Sequence, residues 1–233
     1  MSLSFENLAS VLRYADLFKQ GLIVTVLLSA LTVLFGFILA MVLALMLLSS
    51  VKIVRMIAGA YVQFVRCTPM LVQVFLVYYV VFGFITLPRF TFLGFIQFDR
   101  FFPAAVALAL NSGGYMSDVI RGGIEGVDHG QTEAARSLGM SKGQTLYHIV
   151  IPQAVKNILP AVANEFVTII KESSICYTIG VQDIMFNVKS VQSASFIIAE
   201  PLIVATALYF CLCFPTSKII QYFERRMRAS DKR

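Results

Sequence analysis

The chain has 233 residues, of which 58% are hydrophobic and only 14% are charged. A soluble domain carries about a quarter charged residues, so this composition, with a mean hydropathy of +0.79, excludes an ordinary soluble domain. Several long apolar runs instead indicate a polytopic membrane protein with one domain as the default. The net charge of +6 does not indicate a nucleic-acid partner, because the basic residues flank the apolar runs, where they set topology.

Residues 1–20 predict a short amphipathic lead-in rather than a signal peptide, because they contain Glu6 and Asp16 and lack a basic start before an apolar core. The first predicted span covers about residues 22–48 and contains no charge. A helix of that length is about 40 Å long and crosses a hydrocarbon core of about 30 Å. Along it, small residues recur every fourth position and predict close approach of another helix, namely Gly36, Ala40 and Ala44.

The second predicted span covers about residues 57–84 and contains Arg66 and Pro69. Pro69 removes an amide and predicts a kink or break. Arg66 is costly in an apolar run unless it is paired or reaches an interface, where it would bond to a carbonyl freed by the break. An aromatic-rich loop follows over residues 85–100 and is expected to lie partly among the outer headgroups.

The third predicted span, about residues 101–120, contains Asn111-Ser112-Gly113-Gly114-Tyr115 at its middle. Adjacent glycines and polar side chains at membrane depth are tolerated where helices pack tightly or line a cavity. Asn111 and Ser112 therefore have two possible roles, in helix packing or in a substrate cavity.

The remaining predicted spans cover about residues 158–178 and 201–222, and a basic tail covers 223–233. The fourth span is very polar for a membrane helix, and buried acids such as Glu165 face a bundle interior or an aqueous cavity. Between these spans, residues 179–200 predict a loop with a short helix at about 181–190. The expected fold is therefore an all-α membrane protein with five transmembrane helices, whose membrane domain covers residues 21–222.

The longest polar insert between apolar runs covers residues 130–153 and predicts two short helices joined by a bend at Gly139. Ser141 and Gln144 form a capping-box pattern for the second helix. Each helix has a small apolar face, formed by Ala134, Ala135 and Leu138 in the first and by Leu146, Ile149 and Val150 in the second. Such a helix pair suits docking onto another protein. The alternative is a cytoplasmic loop whose amphipathic helices lie on lipid headgroups.

The basic residues predict the orientation. With five spans and the amino terminus outside, twelve of the 19 Lys and Arg residues are inside and five outside, and Arg66 and Lys171 lie within spans. This bias places the polar insert and the carboxyl terminus in the cytoplasm.

The chain carries no motif for catalysis of its own. It lacks a Walker-type GxxxxGK[ST] segment, an HExxH pair and a Ser-His-Asp arrangement, so we expect no enzyme activity, no bound ATP and no metal site in this chain. The four cysteines have no metal-ligand spacing and are interpreted as small apolar residues, namely Cys67, Cys176, Cys211 and Cys213.

The insert resembles the coupling loop of the permease subunits of binding-protein-dependent ABC importers. Their pattern, E-A-A, three residues, Gly, nine residues, Ile-x-Leu-Pro, falls on Glu133, Ala134, Ala135, Gly139, Ile149 and Pro152, with Ile151 where Leu is usual. The resemblance implies that residues 128–155 contain a coupling helix that sits in a groove of a cytoplasmic ATPase.

A wider resemblance is to the polar amino-acid permeases, the histidine, glutamine and arginine group. Matching segments occur in order from residue 21 to 226: Gly21-Leu22-x-x-Thr25, Phe64 to Gln73, Asn111 to Tyr115, Arg121 to Ile124, Leu159 to Phe166, Lys171 to Ser174 and Glu224-Arg225-Arg226. The chain departs from the family pattern at Cys67 for Gly, Gly114 for Ala and Asp118 for Glu; the first two put the local helix geometry in question.

This resemblance implies a type I importer in the bacterial cytoplasmic membrane. Its parts would be two permease chains, either two copies or a sister pair, two ATPases that bind ATP and magnesium, and an extracellular binding protein for a polar or basic amino acid. A membrane scaffold or sensor that binds an ATPase without moving solute is an alternative. A secondary transporter half is opposed by the odd span count and the absence of an inverted repeat.

The substrate site is expected between the third and fourth spans. Glu165 with Asn164 offers an anionic, hydrogen-bonding pair for an α-ammonium or a cationic side chain, and Tyr115, Asn111 and Ser112 would form the opposite wall. The alternative for Glu165 is an ion pair with Arg66 or another helix. Arg66, Pro69 and Lys171 are expected to have structural or gating roles.

Overall fold

The structure, a computed structural model, describes residues 5–230 and gives side chains for residues 6–227. The parts of the predicted lead-in and tail at residues 1–4 and 231–233 lie outside the described residues. The α-helices are α1 Phe5–Leu12, α2 Ala15–Leu47, α3 Lys52–Cys67, α4 Met70–Phe75, α5 Phe98–Glu125, α6 His129–Ser137, α7 Lys142–Thr145, α8 Ile151–Glu172, α9 Ile184–Ser195 and α10 Ala199–Ser230. Two short strands, β1 Thr91–Phe92 and β2 Ile96–Gln97, pair antiparallel.

Helices α2 and α5 form the central packed pair, and the small residues predicted for close approach are at their contact. Ala40 and Ala44 are fully buried. A methyl group added at Gly36 would lie 3.1 Å from Met116 Cε and 3.4 Å from the Ala109 carbonyl oxygen. The predicted small-residue stripe on α2 is therefore confirmed as a helix-packing surface.

The adjacent glycines at the middle of α5 are explained by neighbours on two sides. A Cβ atom at Gly113 would lie 2.8 Å from Leu39 Cδ2 on α2. A Cβ atom at Gly114 would lie 2.9 Å from Val65 Cγ1 on α3. Both distances are shorter than an ordinary van der Waals contact. Helix α5 therefore lies so close to α2 and α3 at these two positions that any residue larger than glycine would displace a neighbouring side chain.

The second predicted span is not one helix. Helix α3 ends at Cys67, α4 begins at Met70, and the axes of the two segments differ by 111°. The predicted break at Pro69 is therefore confirmed, and the second span over 57–84, if it is one span, is a broken one. Beyond α4 the chain continues as a π-helical turn, Leu76–Val81, and a 3₁₀ turn, Phe82–Phe84.

Over residues 5–230, two helices are long and apolar enough to cross a membrane, Ala15–Leu47 and Ala199–Met227. The bent pair around Pro69 makes a third if its two arms count as one span. Helices α5 and α8 have 28 and 22 residues and carry the polar side chains noted in the sequence, so they are less apolar than these. Length and composition alone therefore identify two or three spans.

Other boundaries differ from the sequence predictions in specific ways. Helix α2 begins at Ala15, seven residues before the predicted span, and includes part of the predicted lead-in. The predicted aromatic loop at 85–100 contains the β hairpin. After α8, a 3₁₀ segment, Ser173–Ile179, ends at Gly180 with a φ of +83°, and α9 begins at Ile184. Helix α10 extends through most of the predicted tail to Ser230.

Candidate functional site

The first half of the polar insert is a short helix with a glycine-dependent end. Asp128 caps the start of α6, since its Oδ1 accepts the Gly130 N–H at 2.6 Å. At the other end the Gly139 N–H donates to the Arg136 carbonyl at 3.0 Å, and the Met140 N–H donates to the Ala135 carbonyl at 3.2 Å. This pair of hydrogen bonds is a Schellman motif, which needs a left-handed residue after the helix. Gly139 supplies it with a φ of +85°.

The second half begins with the predicted capping box, which is confirmed. Ser141 Oγ accepts the Gln144 N–H at 3.2 Å, and Gln144 Oε1 accepts the Ser141 N–H at 2.8 Å. The prediction of a separate short helix here is wrong, because α7 continues through a π-helical turn, Leu146–Val150, directly into α8. Pro152 follows this turn and has no N–H to donate, and the wider turn is one way for a helix to accommodate that loss.

The exposed side chains of the insert are partly apolar. Glu133 and Ala134 are exposed on α6, while Ala135 points inward and is 4% exposed. Leu138 is 85% exposed and Tyr147 is 69% exposed. The apolar face expected for the first helix is therefore divided, with Ala135 on the protein side and Leu138 on the open side. Large apolar side chains in a polar loop are typical of a protein contact.

The insert is joined to the helix bundle by an apolar cluster at its base. Its members are Val150 in the insert, Val127 just before it, and residues of α2, α5 and α8: Ala40, Ala44, Met116, Ile120, Ala154 and Ile158. A methyl group at Gly123 would clash with Ile158 Cγ1, so α5 and α8 touch closely beside this cluster. The base of the insert is thus packed directly against α2, α5 and α8.

Near the middle of the two helices, a position called mid-height below, α5 and α8 are connected by a polar contact. Ser112 Oγ donates to Glu165 Oε1 at 2.7 Å. Ser112 is fully buried, and Glu165 is half-buried. Two of the residues proposed from the sequence as opposite walls of a site are therefore in direct contact. Glu165 is not paired with Arg66, so that part of the alternative is wrong; its contact with another helix is the hydrogen bond from Ser112 on α5.

Asn111 lies next to Ser112 but belongs to a different network. Its Nδ2 donates to Gln73 Oε1 at 3.0 Å. The Nε2 of Gln73 donates to the Val65 carbonyl at 2.9 Å and to Thr68 Oγ1 at 2.7 Å. Gln73 thus donates hydrogen bonds to the Val65 carbonyl and the Thr68 hydroxyl at the break between α3 and α4. Through Asn111 it also connects this break to α5. Asn111 thus forms a helix-packing hydrogen bond, one of the two roles that the sequence left open, and its place in a substrate cavity stays a prediction.

The other predicted site residues differ in their exposure and surroundings. Tyr115 is 44% exposed on α5, and Lys171 is exposed near the end of α8. Asn164 faces a polar cavity of about 370 Å³ between α8 and α10. This cavity is also lined by Lys156, Asn157, Pro160, Ala161, Glu224 and Met227.

Arg66 begins a line of ion pairs along α5. Arg66 Nη1 lies 2.8 Å from Asp118 Oδ2, Arg121 Nη2 lies 3.2 Å from Asp118 Oδ1, and Arg121 Nη1 lies 3.1 Å from Glu125 Oε2. Arg66 is therefore paired, as its place in an apolar run required, and it does not bond to a freed carbonyl. Asp118, with its shorter side chain than the usual Glu, reaches both arginines.

Sequence reasoning missed two residues of these networks. Gln73 was noted only as part of a matching segment, and its position four residues after Pro69 in an apolar run is the signal that indicates a partner for the break. Asp118 was noted only as a departure from the family pattern, where Glu is usual. Its partner Arg66 is 52 positions away, and a single sequence carries no signal for that distance.

The fold and the insert define a class, the membrane component of a solute transporter. A family profile described as the binding-protein-dependent transport system inner membrane component matches residues 20–229. The chain belongs to this family, and within it to the permease subunits of amino-acid ABC importers.

Individual relatives agree with this assignment. The arginine transport system permease protein ArtQ of Bacillus subtilis (strain 168) is 39% identical over 212 residues, which cover 91% of this chain and 93% of ArtQ. The probable glutamine ABC transporter permease protein GlnM of the same strain is 30% identical over 230 residues, 99% of each chain. The nopaline transport system permease protein NocM of Agrobacterium fabrum (strain C58) is 39% identical, over 86% of this chain and 83% of NocM.

Solved structures share the fold. A crystal structure of an amino acid ABC transporter with histidines has a TM-score of 0.86 and 39% identity, covering 97% of this chain and all of that one. An inward-facing structure of the MetNI methionine ABC transporter has a TM-score of 0.69 at 15% identity, covering 89% of this chain and 96% of that one, and shows the fold alone. This chain is thus an inner-membrane permease subunit, of a kind whose ATPase is a separate subunit.

Proposed function

We propose that this permease carries a polar or basic L-amino acid inward, with Glu165 as the anionic group that recognises it. The observation that carries the proposal is the 2.7 Å hydrogen bond from Ser112 Oγ to Glu165 Oε1, which holds a half-buried carboxylate between α5 and α8. An acid at this depth needs a partner, and Ser112 occupies only one of its two oxygens. A cationic group of the substrate suits the other. The printed names of the relatives, arginine, glutamine and nopaline permeases, agree with this substrate class.

Residues 128–155 act as the docking element for the ATPase. Glu133, Ala134 and Leu138 are exposed there, Gly139 sets the bend, and the packed base that includes Val150 leads into the bundle. Ile149 and Pro152 complete the coupling pattern at the start of the long helix. ATP-driven approach of two ATPases then moves two such loops and switches the permease pair between inward- and outward-facing forms.

The proposed arrangement has five membrane passes, with the amino terminus outside and the carboxyl terminus in the cytoplasm. The excess of Lys and Arg on the side of the insert supports this orientation. The full complex contains two permease chains, two ATPases that bind ATP and magnesium, and an external amino-acid-binding protein.

The test is ATP-driven uptake in vesicles that contain this chain, its ATPase and its binding protein. We expect ATP-dependent accumulation of radiolabelled arginine or glutamine that a protonophore does not abolish. Glu133→Lys should abolish accumulation, and Asp16→Lys, the same charge reversal at an exposed residue outside the insert, should leave it near normal. ATP hydrolysis without accumulation by the wild-type complex would favour a scaffold or sensor, and collapse of uptake with the protonophore would favour an ion-driven carrier.

A further inference from the structure

A second polar cavity lies at the end of α5 opposite the coupling loop. Its volume is about 350 Å³, within the range of small-molecule sites, which starts at about 300 Å³. Its lining includes two tyrosines, two phenylalanines, one cation and one anion: Tyr78, Tyr79, Phe82, Phe84, Arg89 and Asp99. Asp99 and Ser112 are 13 residues apart on one helix, about 20 Å, so this cavity is separate from the Glu165 site.

The β hairpin brings the backbones of the two charged residues opposite each other. Strands β1 and β2 pair Thr91 with Gln97, and beyond this pair the Phe98 N–H donates to the Phe90 carbonyl at 3.0 Å. The rings of Phe90 and Phe98 stack with centroids 4.7 Å apart. Arg89 and Asp99 are the next residues outward on the two sides, so the stacked rings fix the distance between their backbones.

Stacked rings also connect this hairpin to the helices. Phe98 stacks on Phe102 with centroids 5.3 Å apart, and Phe102 meets Phe82 edge to face at 5.6 Å. The wall of the cavity that carries Phe82 is therefore attached to the wall that carries Asp99. The site is preformed by aromatic packing and does not depend on a ligand to assemble it.

The two charges in the cavity do not pair with each other. Within residues 6–227, neither Arg89 nor Asp99 forms an ion pair, whereas Arg66, Asp118 and Arg121 do. A guanidinium and a carboxylate that line one cavity without meeting leave room between them for a molecule with both charges. An α-amino acid carries a carboxylate and an ammonium group on one carbon and fits this requirement.

We propose that this cavity binds the zwitterionic head of a free α-amino acid, with Arg89 on the carboxylate and Asp99 on the ammonium group. The faces of Tyr78 and Tyr79 lie in the same cavity and accommodate an apolar or cationic side chain. Because recognition is through the head group, the site accepts arginine and glutamine alike. In the proposed orientation this site is on the outer side, but its chemistry does not depend on that orientation or on Glu165.

The experiment is equilibrium binding of radiolabelled arginine and glutamine to the purified permease–ATPase complex, without nucleotide and without binding protein. We expect a head-group site that persists when Glu165→Gln is present. In that background, Arg89→Gln and Asp99→Asn should each weaken binding of both amino acids about tenfold or more. Arg13→Gln, another exposed arginine near the same end of the bundle, serves as the control and should have no effect.

An analogue isolates the contact with Arg89. Argininamide lacks the α-carboxylate, so in the Glu165→Gln background it should bind about tenfold more weakly than arginine, and Arg89→Gln should remove this preference. Asp99 is also in the first turn of α5, where an acid favours the helix, so Arg89→Gln, at an exposed side chain, is the decisive variant. No residual binding in the Glu165→Gln protein, or an affinity for arginine that Arg89→Gln leaves unchanged in that background, would overturn the proposal. If Glu165→Gln removes one class of binding and leaves the head-group site intact, that result concerns the transport proposal and not this one.

Discussion

The coupling loop and the polar contacts at mid-height of α5 differ in how the sequence builds them. In the loop every defining hydrogen bond joins residues at most five positions apart, such as Met140 to Ala135 and Gln144 to Ser141. At mid-height the defining bonds join Ser112 to Glu165 and Gln73 to Asn111, 53 and 38 positions apart. A local motif retains its shape whatever surrounds it, whereas the mid-height contacts exist only when α5 is packed against α4 and α8.

This difference predicts which function each substitution affects. Changes at mid-height should alter substrate affinity or the stability of the bundle. Changes in the loop should alter the ratio of ATP hydrolysed to amino acid moved. The predictions below test that division, beginning with the largest effect.

Glu165→Gln removes the carboxylate and retains the shape of the side chain. If Glu165 contacts a cationic group of the substrate, the loss is about 2–5 kcal/mol, so KM for a basic amino acid rises about thirtyfold or more. Initial uptake rates in vesicles measure it. Glu172→Gln, a change of the same kind at an exposed position on α8, is the control. Unchanged KM in the Glu165 variant removes it from the substrate site.

Gln73→Leu leaves the Val65 carbonyl, Thr68 and the Asn111 amide without their bonds. An unsatisfied buried polar group costs about 1–3 kcal/mol of stability. Because the neighbouring side chains relax in part, we expect the free energy of unfolding to fall by about 2–3 kcal/mol in total. The midpoint of thermal unfolding should fall by about 4–12 °C. Gln221→Leu at an exposed position of α10 provides the comparison. Equal stability of the two variants would show that the bend at Pro69 does not need Gln73.

Gly139→Ala tests the bend of the coupling loop. The open space around Gly139 accepts a methyl group, but a φ of +85° costs an alanine about 1–2 kcal/mol. The amount of ATP hydrolysed per amino acid transported should rise about fivefold or more. Gly143→Ala adds the same methyl group in open space within α7 and should leave this ratio unchanged. A normal ratio in the Gly139 variant contradicts a coupling role for the bend.

Arg66→Gln should have the smallest effect. Its pair with Asp118 is half exposed, and exposed ion pairs contribute about 0.2–1 kcal/mol. The unfolding midpoint should fall by at most about 4 °C. In a double-mutant cycle with Asp118→Asn, the second substitution should cost less when the first is already present. Additive losses would indicate that the two side chains act separately.

The same division explains what the sequence predicted. The capping box at Ser141, the bend at Gly139 and the break at Pro69 depend on short spacings and were predicted correctly. The small residues on α2 were recognised because a helix repeats every 3.6 residues.

The sequence did not predict the long-range partners. Asn164 and Glu165 are adjacent, so they were assigned to one site, yet consecutive residues of a helix point in directions about 100° apart. Glu165 faces α5, and Asn164 faces the cavity beside α10. Which neighbour lies in each direction depends on helix packing, and neither composition nor periodicity contains it. The continuous helix through Leu146–Val150 was missed because a π-helical turn has no pattern of its own.

The central claim is that mid-height contacts recognise the amino acid while the loop transmits the work of the ATPase. The most direct test measures substrate KM and ATP consumed per amino acid transported in the same vesicles, for Glu165→Gln and for Leu138→Asp. We expect Glu165→Gln to raise KM with little change in the ATP ratio, and Leu138→Asp to raise the ATP ratio with KM unchanged. If each variant changes both quantities to the same extent, recognition and coupling are not separated in this chain, and the account is wrong.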